Sequence, residues 1–240
     1  IRLKQFQAGT HEELLQHAAR LRERSAGMLT GVLLDLRGNP GGLVDEAVAV
    51  ADEFVGEGII YSTRHRGRVV DEVHAPPYGV LSGGPVVVLV NEMSASAAEL
   101  VAGALQDAHR ATIVGARTFG KGSVQTLIDL PQGDGLRLTT LRYYTPAGHE
   151  IQARGIAPDV AVGVTPGGDQ SLVALREADL RGHLPAEQPQ PPPSSPPDQS
   201  TYLGMSQTIP NNPTGGNDLA LSIGYQLVTG VLVPKPPRPN

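Results

Sequence analysis

The stretch PVVVLVNEMSASAAELVAGALQDA, residues 85–108, decides how the chain is read. Val86, Val87, Val88, Leu89 and Val90 form an unbroken aliphatic run of strand length, which fits a strand buried on both faces. Residues 91–95 make a tight turn. From Ser96 to Ala108 the residues follow a helical pattern, and Ser96 with Glu99 three positions on forms a capping box at the helix start. A buried strand feeding a helix through a tight turn is the repeating step of an α/β fold with parallel strands.

The same alternation extends outward in both directions. Residues 31–36 (GVLLDL) read as a second buried strand, 37–42 (RGNPGG) as a loop and 43–54 as an Ala/Val-rich helix. Ahead of them, residues 1–6 suit a short strand, and Thr10 caps a helix carrying Leu14, Leu15, Ala18 and Leu21. Downstream, 111–114 reads as a strand, and 122–130 and 135–144 as antiparallel strands joined by a Pro-Gln-Gly-Asp turn. Residues 1–185 therefore form one α/β core of mostly parallel buried strands with flanking helices. Residues 186–217, rich in Pro, Ser, Gln, Asn and Gly, are expected to be a mobile or extended linker. Residues 218–240 are expected to pack back on the core as a helix weakened by Gly224 and Gly230.

Composition narrows the function. Hydrophobic residues make up 40% and aromatics 4%, with no Trp, so the core is built from Ala, Val, Leu and Ile. A net charge of −5 with no basic block argues against nucleic acid as a partner. The lack of cysteine removes disulfides, thiolate zinc sites and a cysteine nucleophile. The seven histidines show no paired metal-ligand spacing and read as exposed or structural, so neither a metal nor a cofactor is expected. The longest aliphatic run, 86–90, is too short to span a membrane. No signal peptide is visible, and a chain opening at Ile1 reads as a fragment.

Three segments carry chemistry. A hydroxyl at Ser96 sits where the N–H groups and positive end of a helix face developing negative charge. In RTFGKGSVQ (117–125), a strand from Gly122 onward places Lys121, Ser123 and Gln125 on one face. A lysine amine works as a base only when neutral, and apolar surroundings disfavour its charged form. Lys121, flanked by Gly120 and Gly122 at the mouth of an apolar strand, is expected to be partly buried, with Gln125 orienting its amine. Residues 115–121 match the first seven positions of a phosphate-binding loop, but Gly122 stands where Ser or Thr is needed and a strand follows, not a helix. In the RGNPGG loop, an N–H of Gly41 or Gly42 could join that of Ala97 to hold an oxyanion.

Taken together, LDLRGNPGG (34–42), VNEMSASAAE (90–99), VGARTFGKGSVQ (114–125), LRLTTLRYYTPAGHEIQARGIAPDV (136–160) and LREADLRGHL (175–184) resemble the C-terminal processing peptidases, also called tail-specific proteases. The resemblance implies Ser96 as nucleophile, Lys121 as general base and Gln125 as its orienting residue. The oxyanion donors would be Ala97 and the Gly41–Gly42 pair. The separation of 25 positions between Ser96 and Lys121 matches the family spacing and favours Ser96 over Ser94. A crotonase/ClpP-like spiral, an acyl-enzyme, protein substrates cut near their C-termini and an extracytoplasmic (periplasmic or cell-envelope) setting are also implied. A PDZ domain expected upstream is not visible in this chain, and oligomerisation is left open. Two rival functions remain: a crotonase-like acyl-CoA enzyme, and a non-catalytic peptide-binding scaffold in which Ser96 is only a helix cap.

Overall fold

The computed structural model describes residues 1–77, 79–162, 175–187 and 218–232. Its centre is a parallel sheet of β1 (Val32–Asp35), β4 (Val86–Val90), β5 (Thr112–Gly115) and β8 (Val160–Ala161), in the order β1-β4-β5-β8. Every residue of β4 is buried, as its unbroken aliphatic run requires. Alternate side chains serve opposite faces. Val86, Val88 and Val90 join the larger core cluster with Leu34 and Ile113, whereas Val87 and Leu89 join a second one with Val114 and Val160.

Helices cover both faces. On the larger cluster pack α1 (Thr10–Arg24), α2 (Val44–Val55) and α3 (Ala97–Asp107), supplying among others Leu14, Val50, Phe54, Val101 and Leu105. On the other face lies α4 (Leu219–Val228), inserting Ile223 and Leu227 against Val87, Leu89 and Val114. Gly224 sits against this sheet: a Cβ there would come 2.9 Å from Leu89 and 3.0 Å from Leu33. The glycine that lowers helix propensity is what lets α4 approach so closely.

A second, antiparallel sheet departs from the sequence reading. It has the order β3-β2-β7-β6, from β2 (Gly58–His65), β3 (Arg68–Ala75), β6 (Ser123–Asp129) and β7 (Gly135–Tyr144). The β6–β7 pair is the expected hairpin, but β2 and β3 are strands in a stretch with no strand assignment from sequence. Their hairpin turns at Arg66 and Gly67, both at positive φ, as a two-residue type I′ turn requires. The solvent exposure of β3, with only Ala75 buried, erases the apolar signal that would reveal it. Residues 1–6 are also corrected: they make isolated bridges, Arg2 to Asp35 and Phe6 to Gly42, rather than a continuous strand.

Residues 186 and 187, assigned to the expected linker, fall among the described residues. Glu187 is held by the core, its N–H donating to Glu150 and its carboxylate pairing with Arg142 at 3.2 Å. Residues 188–217 and 233–240 lie outside the described residues, and with them most of the linker and the end of the C-terminal segment. Among the described residues no helix is long and apolar enough to cross a membrane.

Candidate active site

The site forms where the loop after β1 meets the turn between β4 and α3. Asn39, fully buried, organises the loop: its Nδ2 donates to Leu3 O at 3.0 Å and its Oδ1 accepts from Gly41 N at 2.8 Å. Its carbonyl accepts from Ala95 N at 2.9 Å, which ties loop to turn. Asn91 Oδ1 reaches back to Gly38 N at 2.9 Å. The two segments are in such close contact that a Cβ on Gly41 would lie 2.8 Å from Ser96 Cβ and 2.9 Å from Ala97 N. Gly41 also holds φ 98°, so glycine is required there by both space and conformation.

The two serines of the turn have different surroundings. Ser94 is fully buried; its hydroxyl accepts from Asn91 N at 3.0 Å and donates to Leu36 O at 2.9 Å. Ser96 is half-buried at the N-cap of α3 with φ 56° and ψ −118°. That conformation is costly for a residue with a Cβ, by about 1–3 kcal/mol, and such strain persists only where the surroundings impose it. In the two segments that meet here, the N–H groups of Gly42 and Ala97 have no acceptor among the described hydrogen bonds, whereas that of Gly41 is committed to Asn39. Gly42 is exposed.

Residues 117–122 run past this turn, with Phe119 N donating to Ser94 O at 3.0 Å. They are held by Glu99, whose side chain is fully buried. Thr118 Oγ1 donates to Glu99 Oε1 at 2.5 Å and Gly120 N to the same oxygen at 2.7 Å; Ser96 N and Lys121 N complete the set. Burial raises the carboxyl pKa, the four hydrogen bonds oppose it, and the net effect is a rise from 4.5 to about 7. Gln152, also buried, holds the segment from the other side, accepting from Gly122 N at 3.0 Å.

The structure therefore brings Gly41, Gly42, Ser96 and Ala97 together and ties the Lys121 backbone to the same carboxylate as that of Ser96. One expectation is corrected. Lys121 is exposed rather than partly buried, because β6 extends from the core as the edge of the open sheet and leaves its mouth in water. Gln125 is exposed too, opposite a bulge in β7 where Thr140 is the extra residue. Asn39, Thr118 and Gln152 are site-building residues that the sequence reading missed, and Glu99 has a reach far beyond its capping box. The histidines bond elsewhere: His11 to Glu53 at 2.8 Å, His65 to Thr140 O at 3.0 Å and His149 near Asp107 at 3.4 Å.

Comparison with known proteins agrees with this architecture. Residues 1–162 match the model of peptidase family S41. A carboxy-terminal-processing protease of Bartonella bacilliformis is 40% identical over 254 aligned residues, covering 100% of this chain and 54% of the relative. A carboxyl-terminal-processing protease of Synechocystis is 40% identical, covering 74% of this chain and 39% of its own length. Among solved structures, the photosystem II D1 C-terminal processing protease superposes with a TM-score of 0.64 at 40% identity, covering 67% of this chain and 41% of that one. Fold and kinship define a serine-peptidase class of catalytic core. The chain belongs to peptidase family S41. It spans about half, or less, of the length of these relatives.

Proposed function

We propose that this core is a serine endopeptidase working through Ser96 and Lys121 on protein chains near their C-termini. The observation that carries the reading is the strained Ser96 at the start of α3, in contact with a glycine loop, where the N–H groups of Gly42 and Ala97 have no acceptor among the described hydrogen bonds. Ser96 Oγ attacks the peptide carbonyl while its proton passes to the neutral Lys121 amine. The oxyanion is held by Gly42 N–H and Ala97 N–H, since Gly41 N–H is already engaged by Asn39. The C–N bond then breaks, the leaving amine takes the proton from Lys121, and an acyl-Ser96 remains. Water attacks the acyl carbonyl, giving its proton to Lys121, which returns it to Ser96 Oγ.

Lys121 stands in water before substrate arrives. A bound peptide strand covers it and takes its amine out of water. Gln125, two residues into the exposed part of β6, turns toward the amine in that covered state. C-terminal tails are delivered by a PDZ-type module encoded outside this chain, and the protein acts outside the cytoplasm, which cell fractionation tests. The catalytic reading is tested with a fluorophosphonate probe and peptide mapping. Labelling on Ser96 that disappears in Ser96→Ala is expected; an unlabelled wild-type chain, or labelling on Ser94, overturns it.

A further inference from the structure

Helix α4 lies beyond the residues that match the family model, yet it bears on the loop that presents Gly41 and Gly42. Its N-cap, Asp218, accepts from Leu221 N at 3.0 Å through Oδ1, and the same oxygen accepts from Arg37 Nη1 at 2.8 Å. Arg37 is the first residue of the loop. Its remaining donors close on Asp35, the last residue of β1: Nε to Oδ1 at 2.9 Å and Nη2 to Oδ2 at 2.8 Å. The Arg37 N–H also donates to Asp35 Oδ1, at 3.0 Å. One planar guanidinium thus joins the end of the central sheet, the start of the loop and the tip of α4. The pair is well shielded, with side chains 20% and 33% exposed, and the Arg37 guanidinium holds the Asp218 carboxyl below its ordinary range.

We propose that Asp218 is a positioning residue for the peptidase reaction: through Arg37 it fixes where the RGNPGG loop holds its oxyanion donor against Ser96. This rests on the assignment of Gly42 and Ala97 as oxyanion donors given above. The path is short and made of rigid contacts. Arg37 is bonded on both sides, Gly38 N is held by Asn91, and Asn39 locks Gly41 against Ser96. Loss of the Asp218 contact leaves Arg37 anchored to Asp35 alone and lets the loop relax away from α3. α4 is then a brace for the chemistry as well as cover for the sheet.

The test uses the full chain. Asp218→Asn keeps a good helix N-cap and removes the charged acceptor. It is expected to lower the rate of Ser96 labelling by a fluorophosphonate, and kcat for a peptide, by about threefold to tenfold, with KM unchanged and the melting temperature only slightly lowered. In Arg37→Lys, which keeps the charge but cannot span both carboxylates, the same loss is expected, and the double variant should lose no more than either single one. Labelling of Asp218→Asn at the wild-type rate, or losses that multiply in the double variant, overturns the proposal while leaving Ser96 as nucleophile intact. A wild-type chain that is not labelled at Ser96 overturns the underlying assignment as well.

Discussion

The backbone N–H groups of Ser96 and Lys121 converge on one atom: both donate to Glu99 Oε2, each at 2.8 Å. The two residues, 25 positions apart in the chain, are folded so that a single buried carboxylate oxygen holds both backbones. Among the described residues no counter-ion pairs with Glu99; burial raises its pKa and its four neutral donors offset that only in part. The site is thus organised around a group whose charge state changes near neutrality.

The first expected consequence is kinetic. Ionised Glu99 accepts from four donors, but a proton on either oxygen turns that oxygen toward N–H groups as a donor and breaks the clamp. Activity should therefore rise with pH through about 7. Glu99→Gln presents an amide N–H₂ to the same donors at every pH, so its kcat should be about tenfold lower and should lack that limb. The pH profiles of kcat for the two proteins decide this; a Gln variant with wild-type rate and profile removes Glu99 from the site's organisation.

Stability should run the opposite way. The folded-state pKa of Glu99 lies above its ordinary value of 4.5, so between about 4.5 and about 7 the native state binds more protons than the unfolded one. The group's contribution is most favourable below that window and is lost as pH rises through it, by about 3 kcal/mol in all. Urea midpoints measured from pH 4.5 to 8 should show this falling component in the wild type and its absence in Glu99→Gln.

Lys121 is exposed, so replacing it should leave the fold nearly untouched, within about 0.5 kcal/mol. Lys121→Arg keeps the charge but cannot give up its proton, and peptide cleavage should disappear. Melting curves beside cleavage assays separate the two effects. An active Arg variant with the wild-type pH profile would exclude Lys121 as base.

At Ser96 the backbone itself makes a prediction. With φ 56° and ψ −118°, Ser96→Ala keeps the strain whereas Ser96→Gly relieves it, so the Gly variant should be the more stable of the two by about 1 kcal/mol. Both should be inactive. Ser94→Ala should instead cost about 1–3 kcal/mol, because Leu36 O and Asn91 N each lose a buried partner. Denaturation of the three variants in parallel gives the ranking, and a Gly variant less stable than Ala would show that Ser96 is not strained.

What the sequence made legible follows from burial. The aliphatic runs of β1 and β4 and the hairpin at 131–134 could be read because their side chains meet the core, or their turn residues are distinctive. β3 could not, since Arg68, Asp71, Glu72 and His74 face water along a strand that is held only by its neighbour β2. The glycine pair and Ser96 stand out by their turn chemistry, and Gly41 meets Ser96 in the fold. The exposure of Lys121 was not, because the apolar residues of β6 suggest burial while Leu127 is 74% exposed. Glu99 was seen only as a local cap; that its carboxylate also reaches residues 118–121 is a long-range fact that no local pattern encodes.

The two-sided burial of β4 carries a last consequence, for where the module ends. The family model stops at residue 162, but the row formed by Val87, Leu89, Val114 and Val160 is covered by Ile223 and Leu227 of α4. A chain trimmed at that boundary would open this aliphatic face to water, losing about 1.5–3 kcal/mol for each large side chain uncovered and gaining a patch prone to self-association. The length that the family model delimits and the length that covers the central sheet therefore differ, and the residues that make up the difference are those of α4.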